Sequence, residues 1–282
     1  MNLKELSLML GLSQTTISRA INGYPEVNEE TRQRVLKAAK ETGYRPNRAA
    51  QRLATGKAGS IGLIMPVSPD HASDIHFAEF QGGLAEVAIE HDFHFVIMPA
   101  RVEDEQEAIR WLVASGSVDG YYLAYMREND PRIAMAQSLS LPFIVHGRSY
   151  GRATDYAFLD VDNEGAFYDA TRFLLQLGHR CFALLNGPAD LDFAFRRKQG
   201  TEKALAEHGL ILDPAHIRNS FMGDEQGYRG MKEILSGPER PTAVLCASTV
   251  LALGAVRALN EARLKLGVDV SLIAHDDELP LL

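Results

Sequence analysis

Gln14, Thr15, Ser18, Arg19 and Asn22 lie on one side of a stretch whose other side, Ile17, Ala20 and Ile21, is apolar. That spacing is the period of a helix. Its polar side carries amide, hydroxyl and guanidinium groups where a solvated helix ordinarily carries Glu and Lys. Those groups match the donors and acceptors that base pairs present in the major groove of DNA, and Gln14, Thr15 and Arg19 are the best base readers among them. Thr16, Ser18, Asn22, Asn28, Thr31 and Tyr44 suit phosphates, which set register and carry no sequence information.

A second set, Phe77, His146, Arg148, Phe193, Arg197 and Asp276, falls near the ends of predicted strands or on the helices beside them. Charged and amide groups orient sugar hydroxyls by paired hydrogen bonds, and rings cover the C–H faces of a sugar. Each residue also has a plainer reading. Arg197 sits in Arg196-Arg197-Lys198, which can be a solvated basic face, and Asp276 can cap a turn. Phe193 and Phe195 can pack under a loop, His146 can be structural, and Arg148 can pair with an acid across a cleft. Asp160 and Asp162 read as turn caps.

Local pattern supplies the elements that hold the first set. Asn2 is a good N-cap with Glu5 three residues on to reach back to it, and Gly11 can take the left-handed conformation that ends a first helix. Ser13 caps the second helix. A third begins at Asn28 with Glu29 and Glu30 in its first turn and bases later, as the helix dipole favours. Val35, Leu36, Ala38 and Ala39 are expected to close a three-helix core. Residues 1–58 hold ten Lys and Arg against five Asp and Glu, a balance of +5; the rest holds 19 against 32, or −13, within a chain net of −8. A basic head on an acidic body is the electrostatic footprint of phosphate contact.

From Ser60 onward strands and helices alternate. Strands are expected over 60–66, 93–99, 118–125, 142–146, 181–185, 242–247 and 270–274. Helices are expected near 77–90, 103–114, 131–139, 163–177, 193–207, 224–235 and 250–263, with a crossover at 157–161. Such alternation means parallel sheets with helices on both faces, and two units in series leave a cleft at the carboxyl ends of their strands. The expected organisation is an all-α helix-turn-helix domain over 1–46, a linker over 47–58, and two doubly wound parallel-sheet subdomains of an α/β core over 59–158 and 159–282.

Several classes of function find no support. The 282 residues contain no apolar run of membrane-spanning length. The short apolar run 6–12 holds Ser7 and Gly11, follows Glu5 and lacks a convincing cleavage site, so it does not read as a secretory signal. Cys181 and Cys246 lie in apolar runs and are expected to be buried, reduced thiols of a cytoplasmic protein. There is no Walker loop, no GxGxxG after the first strand, no His-Glu-x-x-His and no CxxC pair, and the nine His are scattered without metal-ligand spacing. No metal, cofactor or catalytic residue is expected. The rival readings are a sugar-binding protein, which would need a signal and no DNA-reading head, and a sugar-processing enzyme, which would need a carboxylate or metal cluster.

Leu12-Ser13, Thr16-Ile17-Ser18-Arg19, Asn22-Gly23, Val27, Thr31-Arg32, Val35, Gly43-Tyr44, Pro46-Asn47, Ala50 and Leu53-Ala54 follow one another at unbroken spacing. In this the chain resembles the lactose-repressor (LacI/GalR) family. The resemblance implies a homodimeric repressor on approximately palindromic double-stranded operator DNA, with a periplasmic-binding-protein-like core that holds a small sugar effector. It implies a hinge helix over 47–55 in which Asn47, Ala50 and Leu53 meet DNA, Leu53 wedging between base pairs. Arg197, three residues before Gly200, matches the family's effector-binding arginine, and Asp276 its binding aspartate. Ser248-Thr249 stands where the family usually carries Asn-Asp, a departure at one wall of the site. Asn2-Leu3-Lys4-Glu5-Leu6 and the segment 51–62 are similar to repressors of α-glucoside uptake operons, which implies a maltose- or trehalose-like effector. Family chains run further, so the core is expected to be C-terminally incomplete, with apolar surface exposed.

Overall fold

Side chains three residues apart set the starts of the first three helices in the computed structural model, which describes residues 1–45, 56–67, 75–151 and 153–276. In α1 (Leu3–Leu10) the Asn2 side chain accepts from the Glu5 N–H, and Glu5 accepts from the Asn2 N–H, both at 2.9 Å. Gly11 ends the helix at φ +64°, a conformation that costs a side-chain-bearing residue free energy. Ser13 Oγ accepts from the Thr16 N–H at 3.0 Å and starts α2 (Gln14–Ile21). Asn28 does the same for α3 (Glu29–Thr42) through the Thr31 N–H. Arg34 then donates to the Leu10 carbonyl and Arg32 to the Tyr24 carbonyl, each at 2.8 Å, fastening the turns to α3.

Leu6, Ile17 and Val35 are fully buried and form the head's core with Ala20, Val27 and Ala38. Each large side chain there contributes about 1.5–3 kcal/mol. Leu36, expected in this core, is 40% exposed. It lies one residue round the helix from Val35, and Tyr44 packs against the core as well. These helices belong to one unit of the chain, Met1–Gly59; Ser60–Leu282 forms the other.

The second unit holds two parallel sheets. The first runs β2-β1-β3-β4-β5, built of β1 (Ser60–Pro66), β2 (His94–Ala100), β3 (Gly120–Leu123), β4 (Phe143–His146) and the short β5 (Phe158–Leu159). Between them lie α4 (Ile75–Glu90), α5 (Glu105–Ala114) and α6 (Pro131–Ser138). The second runs β7-β6-β8-β9, from β6 (Phe182–Asn186), β7 (Ile217–Asn219), β8 (Ala243–Cys246) and β9 (Ser271–Ala274). Its helices are α7 (Asn163–Gln176), α8 (Asp192–Ala206), α9 (Asp224–Leu235) and α10 (Thr249–Glu261). Every residue of β6 and β8 is buried, as their unbroken apolar runs require when helices cover both faces.

Three sequence expectations change here. The strand expected over 118–125 is confined to β3, and β7 was not foreseen, because Ile217-Arg218-Asn219 offers no apolar run. Cys246 is buried, but Cys181 precedes β6 and is only half-buried; both thiols are free. Among the described residues no helix is long and apolar enough to cross a membrane, and no group of three or more His, Cys, Asp or Glu could hold a metal ion.

Candidate functional site

On α2 the polar residues divide into two groups. Thr16, Ser18 and Asn22 are half-buried and already engaged: Thr16 Oγ1 lies 2.8 Å from Ser13 Oγ, and Asn22 Nδ2 donates to the Ser18 carbonyl at 2.8 Å. Asn28 is exposed and caps α3, Thr31 supplies the N–H it accepts, and Tyr44 is half-buried with its phenol pKa raised by that burial. Gln14, Thr15 and Arg19 are exposed, and their side chains make no hydrogen bond among the described residues. They stand on a helix braced from behind by Ile17 and Ala20. Asn47, Ala50 and Leu53 lie outside the described residues, as does the side chain of Phe77.

In each sheet successive strands are added on opposite sides of the starting strand, and ligand sites form at the carboxyl ends where that reversal occurs. A cavity of about 360 Å³ opens there, between the two lobes of the second unit. His146 and Arg148 reach it from the end of β4, Phe193 and Arg197 from α8, and His275 from the end of β9. Tyr125, just past β3, also lines it and takes φ +54°, a left-handed conformation that costs a non-glycine residue roughly 1–3 kcal/mol.

Arg197 is 6% exposed and is held from two sides: Nε donates to Asn163 Oδ1 at 2.8 Å and Nη1 to the Ala247 carbonyl at 2.6 Å. The Phe193 and Phe167 rings lie 4.8 and 5.3 Å from the guanidinium carbon. Burial lowers its pKa to about 10, opposed by the charges of Asp276 and Asp160. Nη2 makes no hydrogen bond among the described residues, which leaves one edge of a preoriented cation for a ligand. Close helix packing sets this position. A Cβ at Gly200 would collide with the Glu164 carbonyl, so α8 approaches α7 only because glycine stands there.

Arg148 pairs with Asp160 across the cavity wall at 2.7 Å, the pairing that its plainer reading describes, and the Asp160 hydrogen bond raises its pKa. Asp160 therefore does more than cap a turn, whereas Asp162 caps α7 through the Gly165 N–H. His146 stacks on Phe80 with centroids 4.2 Å apart and planes within 6°. Asp276 follows cavity-lining His275 but is not itself among the lining residues; its carboxylate accepts from Thr249 Oγ1 at 2.7 Å. Phe80, Asn163, Asp192 and His275 line the cavity and escaped the sequence reading. Phe80 had a signal, since it lies three residues from Phe77 on one helix face.

The lobes also meet beside the cavity. Arg127 bridges Glu105 at 3.3 Å and Asp190 at 3.5 Å, the Asp192 N–H donates to the Met126 carbonyl at 2.8 Å, and Tyr150 lies 4.1 Å from Phe195. Behind Arg127, Glu105, Asp130 and Arg132 form a buried ion network.

A three-helix head that exposes Gln14, Thr15 and Arg19 without hydrogen bonds among the described residues, on one chain with two parallel-sheet lobes around an arginine- and ring-lined cavity, defines a ligand-responsive DNA-binding regulator. Known proteins carry the same pairing. The family of periplasmic binding proteins and sugar binding domains of the LacI family matches residues 58–277, and the bacterial regulatory proteins of the lacI family match residues 2–47. The chain belongs to the LacI family. The HTH-type transcriptional regulator AglR of Rhizobium meliloti (strain 1021) is 65% identical over 281 residues, covering 100% of this chain and 79% of that protein. The lac repressor dimer bound to operator and the anti-inducer ONPF is 26% identical with a TM-score of 0.83, over 99% of this chain and 83% of the repressor. The complex of the transcriptional regulator CelR with cellobiose is 29% identical with a TM-score of 0.70, over 98% and 82%.

Proposed function

We propose that the protein is a cytoplasmic, homodimeric repressor that binds approximately palindromic operator DNA and releases it when a small sugar enters the cavity. The observation that carries this reading is the exposed, unengaged trio Gln14, Thr15 and Arg19 on a helix whose other polar groups are committed to its own caps. Placed in a major groove, these three read base edges, while Thr16, Ser18, Asn22, Asn28, Thr31 and Tyr44 lie toward phosphates. Two such heads related by a two-fold axis require a two-fold operator. Asn47, Ala50 and Leu53 form the hinge contact, and wedging Leu53 between base pairs costs about a few kcal/mol, offset by contacts to the bent duplex.

The cavity takes the effector. The free edge of Arg197 donates to sugar hydroxyls, Phe193 and Phe77 cover the ring faces, and His146, Arg148 and His275 complete the polar wall, with Asp276 next to His275 in the chain. A disaccharide of the α-glucoside type fits this reading best, and CelR, a relative of similar fold, is known bound to cellobiose. Sugar binding that changes how the lobes meet would weaken DNA binding through a coupling of roughly 1–3 kcal/mol. No cofactor, metal or turnover is part of this function.

Fluorescence anisotropy with DNA from upstream of the protein's own gene, titrated with salt and with maltose or trehalose, tests it. Tight, salt-sensitive binding to a palindrome that one sugar releases is the expected result. A folded dimer without specific DNA binding would overturn the regulator reading, and binding that no sugar alters would overturn the effector.

A further inference from the structure

We propose that Asp160 makes the cavity between the lobes selective for an uncharged sugar and closes it to the phosphorylated form of that sugar. The inference deepens the effector reading above and rests on it. Asp160 follows β5, where its place in the sequence suggests no more than a turn cap. In the structure it stands in one wall of the cavity, in a row of four lining residues that runs from the first lobe to the second. Arg148 Nε donates to Asp160 Oδ2 at 2.7 Å, Asn163 Nδ2 to Asp160 Oδ1 at 3.3 Å, and Arg197 Nε to Asn163 Oδ1 at 2.8 Å. A guanidinium only donates and a carboxylate only accepts, so one orientation of the Asn163 carboxamide satisfies both neighbours. The Val161 N–H also donates to Asp160 Oδ1, at 2.9 Å, and helps to fix the carboxylate.

The carboxylate thus holds the place beside the arginines that an anionic group of a ligand would take. Its side chain is 7% exposed, and salt screens a charge so placed much less than one at the surface. Its charge also reaches Arg197, although burial is the larger influence on that guanidinium. Glu79 and Asp192 line the cavity too, Asp192 paired with Arg196 at 2.6 Å. Among the described residues of the lining, three carboxylates stand with two guanidinium groups and no lysine. This wall offers no surplus of positive charge. A phosphate entering it would leave water for cations that already have a counter-charge and would lie against like charge; both raise the free energy of the complex. A sugar hydroxyl meets neither obstacle, because it can accept from a guanidinium N–H and donate to a carboxylate.

Isothermal titration of the full chain tests this, comparing maltose and trehalose each with its own 6-phosphate ester, and adding inorganic phosphate alone. The parent protein is expected to bind at least one neutral sugar, and the matching ester about tenfold more weakly or worse. Asp160→Asn keeps the shape of the side chain and an acceptor for the Val161 N–H. It should shift the ratio toward the ester by about tenfold and confer millimolar binding of inorganic phosphate that the parent lacks. Adding Arg148→Met should remove that gain. Asp160→Ser takes its place should Asp160→Asn fail to unfold cooperatively. An ester that binds the parent as tightly as its neutral sugar would overturn the proposal, as would a folded Asp160→Asn protein that shows neither change. If no neutral sugar binds the parent, the α-glucoside reading fails and inorganic phosphate alone decides: a gain in Asp160→Asn upholds the role of Asp160, and no gain ends it.

Discussion

The polar side chains of α2 and of α8 stand in opposite states. On α2 the three candidate readers are exposed and their side chains make no hydrogen bond among the described residues, the state of a surface whose partner would bring its own donors and acceptors. On α8 Arg197 is buried, ringed by Phe193 and Phe167, and held by Asn163 and Ala247 before any ligand arrives. A flexible, well-hydrated sugar repays that difference, since each donor fixed in advance is one that binding need not order. The comparison teaches that one chain can keep polar groups uncommitted on the face of one helix and weave those of another into its own core.

Acid is the largest lever on that contrast. Asp130 is buried, which disfavours its carboxylate, yet hydrogen bonding and charge from Arg132 more than offset this and hold its pKa below the usual aspartate value. The stability it contributes is therefore present above the ordinary aspartate pKa and lost as pH falls through the depressed folded value. Asp130→Asn, which keeps the cap of α6, should cost the core about 3–5 kcal/mol at neutral pH. The gap from the parent protein should close in acid, as measured by denaturant midpoints across pH. A gap independent of pH would mean that the network adds no charge-dependent stability.

Arg197→Ala comes next. Loss of a buried charged donor should weaken effector binding by about 1.5–3 kcal/mol, roughly ten- to a hundredfold, and should lower the unfolding midpoint of the core as well, because Asn163 and Ala247 lose their partner. Operator binding in the absence of sugar should persist. Unchanged thermal stability would show that α8 is no more committed than α2.

Arg19→Ala should reduce operator affinity by roughly 1–3 kcal/mol with the unfolding midpoint and effector binding unmoved, read by anisotropy and calorimetry on the same preparation. A parallel loss of stability would break the distinction between the two helices. The smallest effect belongs to Ser13→Ala, which removes the cap of α2 and should cost the head about 1 kcal/mol, visible in its melting and only secondarily in its DNA affinity.

The head was legible to a degree the core was not. The Asn2–Glu5, Ser13–Thr16 and Asn28–Thr31 caps all join residues three apart, and the burial of Ile17 and Ala20 follows from helical period alone. Leu36 shows where that logic ends, because period cannot say how far round α3 the core extends. In the lobes, apolar runs sufficed for β6 and β8 but not for β7, which is held by pairing with β6 and not by its own composition. The type and order of the lobe elements were likewise readable, and with them a cleft at the strand ends.

Local spacing thus determined the caps, the polar face of α2, the basic head and the alternation of strand and helix, since each depends on residues within a turn or two of one another. Only the tertiary structure decided that Arg197 meets Asn163 and Ala247, 34 and 50 residues away, that Arg148 faces Asp160, and that His275 rather than Asp276 lines the cavity. These are contacts between elements far apart in the chain, and which elements meet is decided by how the whole chain packs, which the spacing within one segment does not record.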